Sequence, residues 1–346
     1  MFKTTTRATL RRIRPGFICI MTISLLLIAL PGCTDEGTEL SHLKVVTLPY
    51  IGYSTLFIAQ EEGYFTEQGL DVEFVKFPTS TQAIPLLAQG DLDVVVGSVS
   101  GSTINAIAQD LNMKIVAGGT YCSPDCEVQS LMVRKDLYES GELDTVAELK
   151  GRRIATNCVA CVSDFAMTII FETGNLTLDD VTTDRMRPPD MIAAFENKAI
   201  EAAMVGNPQV EQIKSLGYAV SLESSSYLMP GFELMNVIFG PSLLDNNPEL
   251  GEKFMVAYLK GARQYNQGKT ERNLEIMLQY TGLDRELLLK NCLSPARSDG
   301  EIETDNLIAF QEWAHENGYI DAIIPLDQLV DTRFADHAIE ELGPAS

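Results

Sequence analysis

Two stretches, 87-LAQGDLDVVVG-97 and its echo 195-FENKAIEAAMVG-206, decide how the chain is built. Each reads as a helix end, a tight turn, an acid (Asp93 or Glu201), small apolar residues and then a glycine. A short run that is apolar at every position marks a strand covered on both faces, as in a parallel sheet between helices. Helix-like and strand-like segments alternate around both copies. Before and after the first come strands 44–48, 71–77 and 113–118 and helices 55–69, 81–90 and 102–110, with Pro85 tolerable only in a first helical turn. Around the second come strand 129–136, a helical turn and strand over 145–156, and helices 163–174 and 190–198. Ser163 is the expected N-cap of its helix, with Asp164 at the positive end. The pattern predicts an α/β fold of two similar lobes, each a mostly parallel sheet flanked by helices, with a cleft between them. After 235-MNVIFG-240 the strands stop and a mainly helical part follows. Crossings near 127–129 and 232–237 divide the chain into lobe one, 43–127 with 236–340, and lobe two, 128–235.

The N-terminus is different in kind. Residues 1–15 carry Lys3, Arg7, Arg11, Arg12 and Arg14 and no acid, and 17–30 is almost wholly apolar. That run is short for a membrane span, which needs about 20 residues, but suits a secretory leader. It ends in Leu30-Pro31-Gly32-Cys33, which resembles a bacterial lipobox. The expectation is a signal peptide over 1–32, a lipid on Cys33 holding the chain to a membrane surface, and a polar tether over 33–42. The product is extracytoplasmic.

Removing that leader takes five basic residues and no acid, so the formal charge of −22 becomes −27. Such an acidic surface argues against nucleic acid. Beyond Cys19 and Cys33, five cysteines remain. The close pairs Cys122/Cys126 and Cys158/Cys161 suggest two disulfides with Cys292 left over; free thiols or a four-cysteine metal site are the alternatives. No resident metal or cofactor is expected.

In open α/β sheets ligands bind beyond the carboxyl ends of strands. The loops that qualify supply Tyr50, Tyr53 and Ser54; Ser98 and Ser100; Asn157, Cys158, Cys161 and Ser163; and Asn207, with Glu233 as a further candidate. They offer aromatic faces, hydroxyls and amides, and no guanidinium. Arg185 and Arg187 are the nearest basic residues. Such a set suits a flat polar ring that is stacked and hydrogen-bonded.

The stretches 52–75, 87–98, 149–156 running into Ser163-Asp164, and 310–334 together resemble the bacterial solute-binding proteins of the nitrate/sulfonate/taurine type. Those share a fold with binders of thiamine-pyrimidine precursors and riboflavin and with fungal thiamine-pyrimidine synthases. The resemblance implies a type II periplasmic-binding-protein-like fold. It also implies a chain that binds a small molecule and works with an ABC permease and its ATPase. A monomer is expected, and no enzyme, since His42, His315 and His337 fall in none of the candidate loops and the synthase's Cys-rich iron motif is absent. Two positions depart from the pattern. The loop 157-NCVAC-161 replaces a Gly/Ser-rich turn, and Asn207-Pro208 replaces an aromatic followed by an acid and proline. The loop chemistry leans to a heteroaromatic solute, a thiamine pyrimidine precursor or a riboflavin-like ring. A sulfonate, taurine or nitrate is the alternative, and an enzyme akin to the synthase is the reading from another class.

Overall fold

The computed structural model describes residues 40–109 and 111–345. The leader, Cys19, Cys33 and Asp110 lie outside the described residues, and so does most of the expected tether.

Ten strands form two five-stranded sheets. The first contains β1 (Ser41–Thr47), β2 (Leu70–Lys76), β3 (Val94–Gly97) and β4 (Lys114–Gly118), with β10 (Asn236–Phe239) inserted, in the order β2-β1-β3-β10-β4. The second contains β5 (Gln129–Arg134), β6 (Arg153–Thr156), β7 (Thr182–Arg185), β8 (Ala202–Gly206) and β9 (Ala219–Ser224), in the order β7-β6-β8-β5-β9. The two orders are the same pattern. β3 and β8, the strands of the opening repeat, hold the same central place. Val94, Val95 and Val96 are buried, as are Ala202, Ala203, Met204 and Val205, because a central strand with helices on both faces has no solvent side.

Each sheet is mixed rather than mostly parallel. β1 runs parallel to β2 and β3, whereas β10 is antiparallel to β3 and β4. β6 runs parallel to β7 and β8, and β5 is antiparallel to β8 and β9. The antiparallel strand is in both cases the first one laid down after the chain has crossed from the other sheet.

The crossing segments pair with each other. Gly119 N donates to Met235 O (2.8 Å), Leu234 N to Thr120 O (2.8 Å), Cys122 N to Phe232 O (2.8 Å) and Gly231 N to Cys122 O (2.8 Å). The result is a short antiparallel ribbon between the lobes. A Cβ on Gly119 would press into the Met235 backbone, so the close approach needs glycine there.

Helical boundaries follow local chemistry. Pro85 occupies the first turn of the helix Ile84–Gln89, where its missing N–H costs nothing. The expected single helix over 55–69 is two, Ser54–Glu61 and Tyr64–Glu67, broken at Gly63, which has φ 76°. The helix expected over 102–110 runs from Gly101 to Ala108 with Ser100 as its N-cap. The C-terminal part wraps the first sheet: the helix Pro248–Tyr265 packs on Ser54–Glu61, and Arg333–Leu342 packs on Pro248–Tyr265 and β4.

Gly261 lies where those first two helices touch, and a Cβ there would collide with the Thr55 carbonyl and sit 3.0 Å from Ala59 Cβ. Gly→Ala inside a helix ordinarily stabilises by about 0.5–1 kcal/mol. At this position overpacking of about 1–3 kcal/mol opposes it and wins. Gly261→Ala is therefore expected to lower the melting temperature; a rise in a thermal melt would show that the helices separate freely.

Candidate functional site

A cavity of about 770 Å³ opens between the sheets. Its wall is built from residues just past the carboxyl ends of β1, β2, β3, β6, β7 and β8. The size falls within the range of small-molecule sites.

Of the residues singled out from sequence, Tyr50, Tyr53, Ser98, Asn157, Cys158, Cys161, Ser163, Arg187 and Asn207 line this cavity. Their contributions differ. Tyr50 is half-buried and presents a ring. Tyr53 is almost wholly buried, and burial pushes its phenol far above the ordinary value, so it offers only a neutral edge. Ser98 Oγ donates to Leu234 O (2.7 Å) and steadies the crossing ribbon. Asn207 Nδ2 donates to Glu127 O (2.9 Å) and its N–H to Val128 O (2.8 Å), so it pins the first crossing while facing the cavity. Arg187 is the charged group of the wall among the described residues; it stands 82% exposed at the mouth, paired with Asp190 at 2.8 Å.

Several expectations are corrected. Ser54 is buried in the core and does not reach the cavity. Ser100 is committed to its cap, where it accepts from Thr103 N. Ser163 is not an N-cap: the helix runs from Val162 to Thr173 with Cys161 before it, and the Ser163 hydroxyl meets Gln129 Nε2 at 2.6 Å. Arg185 is the last residue of β7 and pairs with the buried Asp164 at 2.9 Å, away from the cavity. Asp164 accepts from Thr156 Oγ1 (3.0 Å) and Ala160 N (3.0 Å), and burial outweighs these partners in raising its pKa.

The cysteine pairing also differs from the close-spacing expectation. Cys158 and Cys161 do form a disulfide. Cys126 pairs with Cys292, across 166 residues, and not with Cys122. Cys126 N–H turns back on Ser123 O, and its side chain meets the segment after the helix Arg285–Lys290. Cys122 is a buried free thiol beside Ser225 and Ser226, and burial pushes its pKa up to about 12. Among the described residues no group of three or more His, Cys, Asp or Glu could hold a metal ion.

Glu233 is no ligand group in this arrangement. It is buried, pairs with Arg297 at 3.3 Å, and accepts from Glu303 N at 3.0 Å. Arg297 in turn lies 4.4 Å over the Tyr121 ring and donates to Gly231 O, so this pair clamps both strands of the crossing ribbon to the C-terminal part.

Other lining residues were not reached by the sequence reading: Phe77, Ser80, Gln129, Gln209, Met235 and Ser294. Phe77 and Ser80 follow β2, so the carboxyl-end rule applies to them as it does to the others. Apart from Arg187 the polar side chains are thus amides and hydroxyls, and Val162 and Ser163, in the N-terminal turn of the helix Val162–Thr173, line the same space.

Two mixed sheets with a cavity between them define a periplasmic-binding-protein-like fold. The chain belongs to the family described as NMT1/THI5 like, whose model matches residues 51–268. YtlA, a Bacillus subtilis protein named as a binding protein, is 34% identical over 96% of this chain and 99% of its own length. A second Bacillus subtilis protein, named for binding aliphatic sulfonates, is 24% identical over 95% of this chain and 98% of its own. The formylaminopyrimidine-binding protein of Halalkalibacterium halodurans is 24% identical over 70% of this chain and 73% of its own. Among solved structures, the alkanesulfonate-binding protein SsuA of Xanthomonas axonopodis pv. citri bound to MOPS superposes with a TM-score of 0.69 at 15% identity, covering 85% of this chain and 99% of that one. The nitrate-binding protein NrtA of Synechocystis PCC 6803 also has a TM-score of 0.69, at 16% identity over 89% and 90% of the two chains. The desulfurization enzyme DszB shares the fold at a TM-score of 0.61 and 14% identity, over 87% of this chain and 99% of that one.

The Glu233–Arg297 clamp makes a signed prediction. Burial already raises the Glu233 pKa above its unfolded value, and Arg297 opposes that rise. Arg297→Met leaves a buried carboxylate unpaired, at a cost of about 3–5 kcal/mol near pH 8. As pH falls towards the unfolded carboxyl value of about 4.3, Glu233 takes up a proton and the deficit shrinks. Denaturant melts at both pH values check this; a deficit that grows on acidification would contradict it.

Proposed function

We propose that this chain is a lipid-anchored, extracytoplasmic, monomeric solute-binding protein that captures a small nutrient between its lobes and delivers it to an ABC permease and its ATPase. The observation that carries the reading is the cavity itself: it is walled by loops from both sheets, so a solute touching both favours their approach. Anchoring rests on Leu30-Pro31-Gly32-Cys33 after a leader-like stretch. The two disulfides suit an oxidising compartment. No helix among the described residues is long and apolar enough to cross a membrane.

Two solute classes compete. A neutral heteroaromatic solute fits the Tyr50 and Phe77 rings, the amides of Asn157, Gln129 and Gln209, and a wall without an interior cation; one relative is named for a formylaminopyrimidine. A sulfonate fits at least as well on kinship, since one relative is named for aliphatic sulfonates and a neighbour in fold holds MOPS, itself a sulfonate. The helix N-terminus at Val162 and Arg187 at the mouth supply its positive field.

A thermal-shift panel of pyrimidines, flavins, taurine and longer alkanesulfonates separates them. A ligand at 100 times its dissociation constant adds about 2.7 kcal/mol of stability. Tyr50→Ala is expected to abolish the shift of an aromatic solute, and Arg187→Ala to weaken that of a sulfonate. Turnover of a panel compound by the purified chain alone would contradict the binding-protein reading.

A further inference from the structure

The Cys158–Cys161 disulfide is not explained by solute capture alone. It belongs to the cavity wall and, at the same time, to a contact between the lobes. Gly101 N, at the first position of the helix Gly101–Ala108 that follows β3, donates to Ala160 O at 2.9 Å. Ser100 and Cys161 form an antiparallel bridge beside it. Ala160 holds φ 53°, a left-handed conformation that an L-residue with a side chain resists, so something must hold it there. Three restraints do: the disulfide that closes the four-residue loop, the Asp164 carboxylate on Ala160 N, and Arg185 on Cys158 O. Gly101 is crowded from the other side, since a Cβ would sit 3.3 Å from Ala160 Cβ and 3.2 Å from Tyr319 O. The contact therefore depends on both backbones keeping this shape.

We propose that Cys158–Cys161 is a thiol-exchange site that holds the Gly101–Ala160 contact between the lobes when oxidised and loosens that contact when reduced. Cys158 is half-buried against the cavity and Val159 is 57% exposed, so a small thiol can reach the bond, while Cys161 is buried. The thiolate of a low-molecular-weight thiol attacks Cys158 Sγ and forms a mixed disulfide. The Cys158–Cys161 bond breaks, and its electron pair leaves on Cys161 Sγ, just before the first turn of a twelve-residue helix whose N-terminus favours an anion. Cys161 then takes up a proton. A second thiolate attacks the external sulfur, Cys158 leaves and is protonated, and a small-molecule disulfide departs. Two thiols have been oxidised and one protein disulfide reduced. With the loop open, Ala160 relaxes out of the left-handed region and its carbonyl turns away from Gly101. The consequence for solute release rests on the reading of the cavity given above; the latch itself does not.

The test uses the full chain without any solute. Glutathione is added to the native protein, new thiols are alkylated, and mass spectrometry locates them. In parallel, amide exchange is measured for Gly101 and for the β3 strand in the oxidised protein, the reduced protein and the Cys158→Ser/Cys161→Ser variant. The expected result is joint alkylation of Cys158 and Cys161, and Gly101 exchange about tenfold faster in both altered forms, with β3 unchanged. Three results would overturn the proposal: no alkylation of this pair, an unchanged Gly101 rate, or equal acceleration in β3, which would make the disulfide a plain staple. Because no solute is present, failure here is distinct from failure of the solute-binding reading, which only the panel addresses.

Discussion

The fold depends on the two crossing segments being bonded to each other. A chain that passes twice between two sheets could do so at separate places, and the sheets would then move independently. Here Gly119, Thr120 and Cys122 pair with Met235, Leu234, Phe232 and Gly231, so both passages share one ribbon. Each passage ends in a strand, β5 or β10, that enters the next sheet antiparallel and second from an edge. The sheets are thereby held with their carboxyl ends facing a common space, and the cavity follows. The Glu233–Arg297 pair and the Cys126–Cys292 bond fasten this ribbon to the helical C-terminal part.

Much of this was legible in the sequence, and the reasons are physical. β3 and β8 are central strands covered on both faces, so they are apolar at every position and cannot be mistaken for loops. Their shared turn and acid revealed the internal repeat, and the matching strand orders of the two sheets follow from it. β7, with the sequence TTDR, carries no apolar residue because it is an edge strand with water beside it, and nothing in its composition separates it from a turn. The strands β5 and β10 were legible over 129–136 and 235–240, but their antiparallel insertion was not, since a strand's direction leaves no mark on its own residues.

The site shows the same division. The carboxyl-end rule brought eight of the singled-out residues to one cavity, from Tyr50 to Asn207, and Arg187, singled out as a nearby basic residue, joins them. It failed where a partner far along the chain decides a residue's role. Glu233 reads as a loop acid until Arg297 is seen beside it, and Cys126 reads as the partner of Cys122 until Cys292 arrives. Ser100 and Asn207 show that a polar residue at a strand end also serves the backbone around it. Local spacing supplies candidates; long-range pairing removes some and adds others, such as Gln129 and Ser294.

The central claim is that the cavity binds a solute by drawing together two lobes hinged at one ribbon. Small-angle X-ray scattering tests it most directly, on the purified chain alone and with a saturating concentration of whichever panel compound raises its melting temperature most. The account predicts a smaller radius of gyration with the compound present, because contacts to both lobes favour the closed arrangement. Identical scattering in the two states, at saturation, would contradict it.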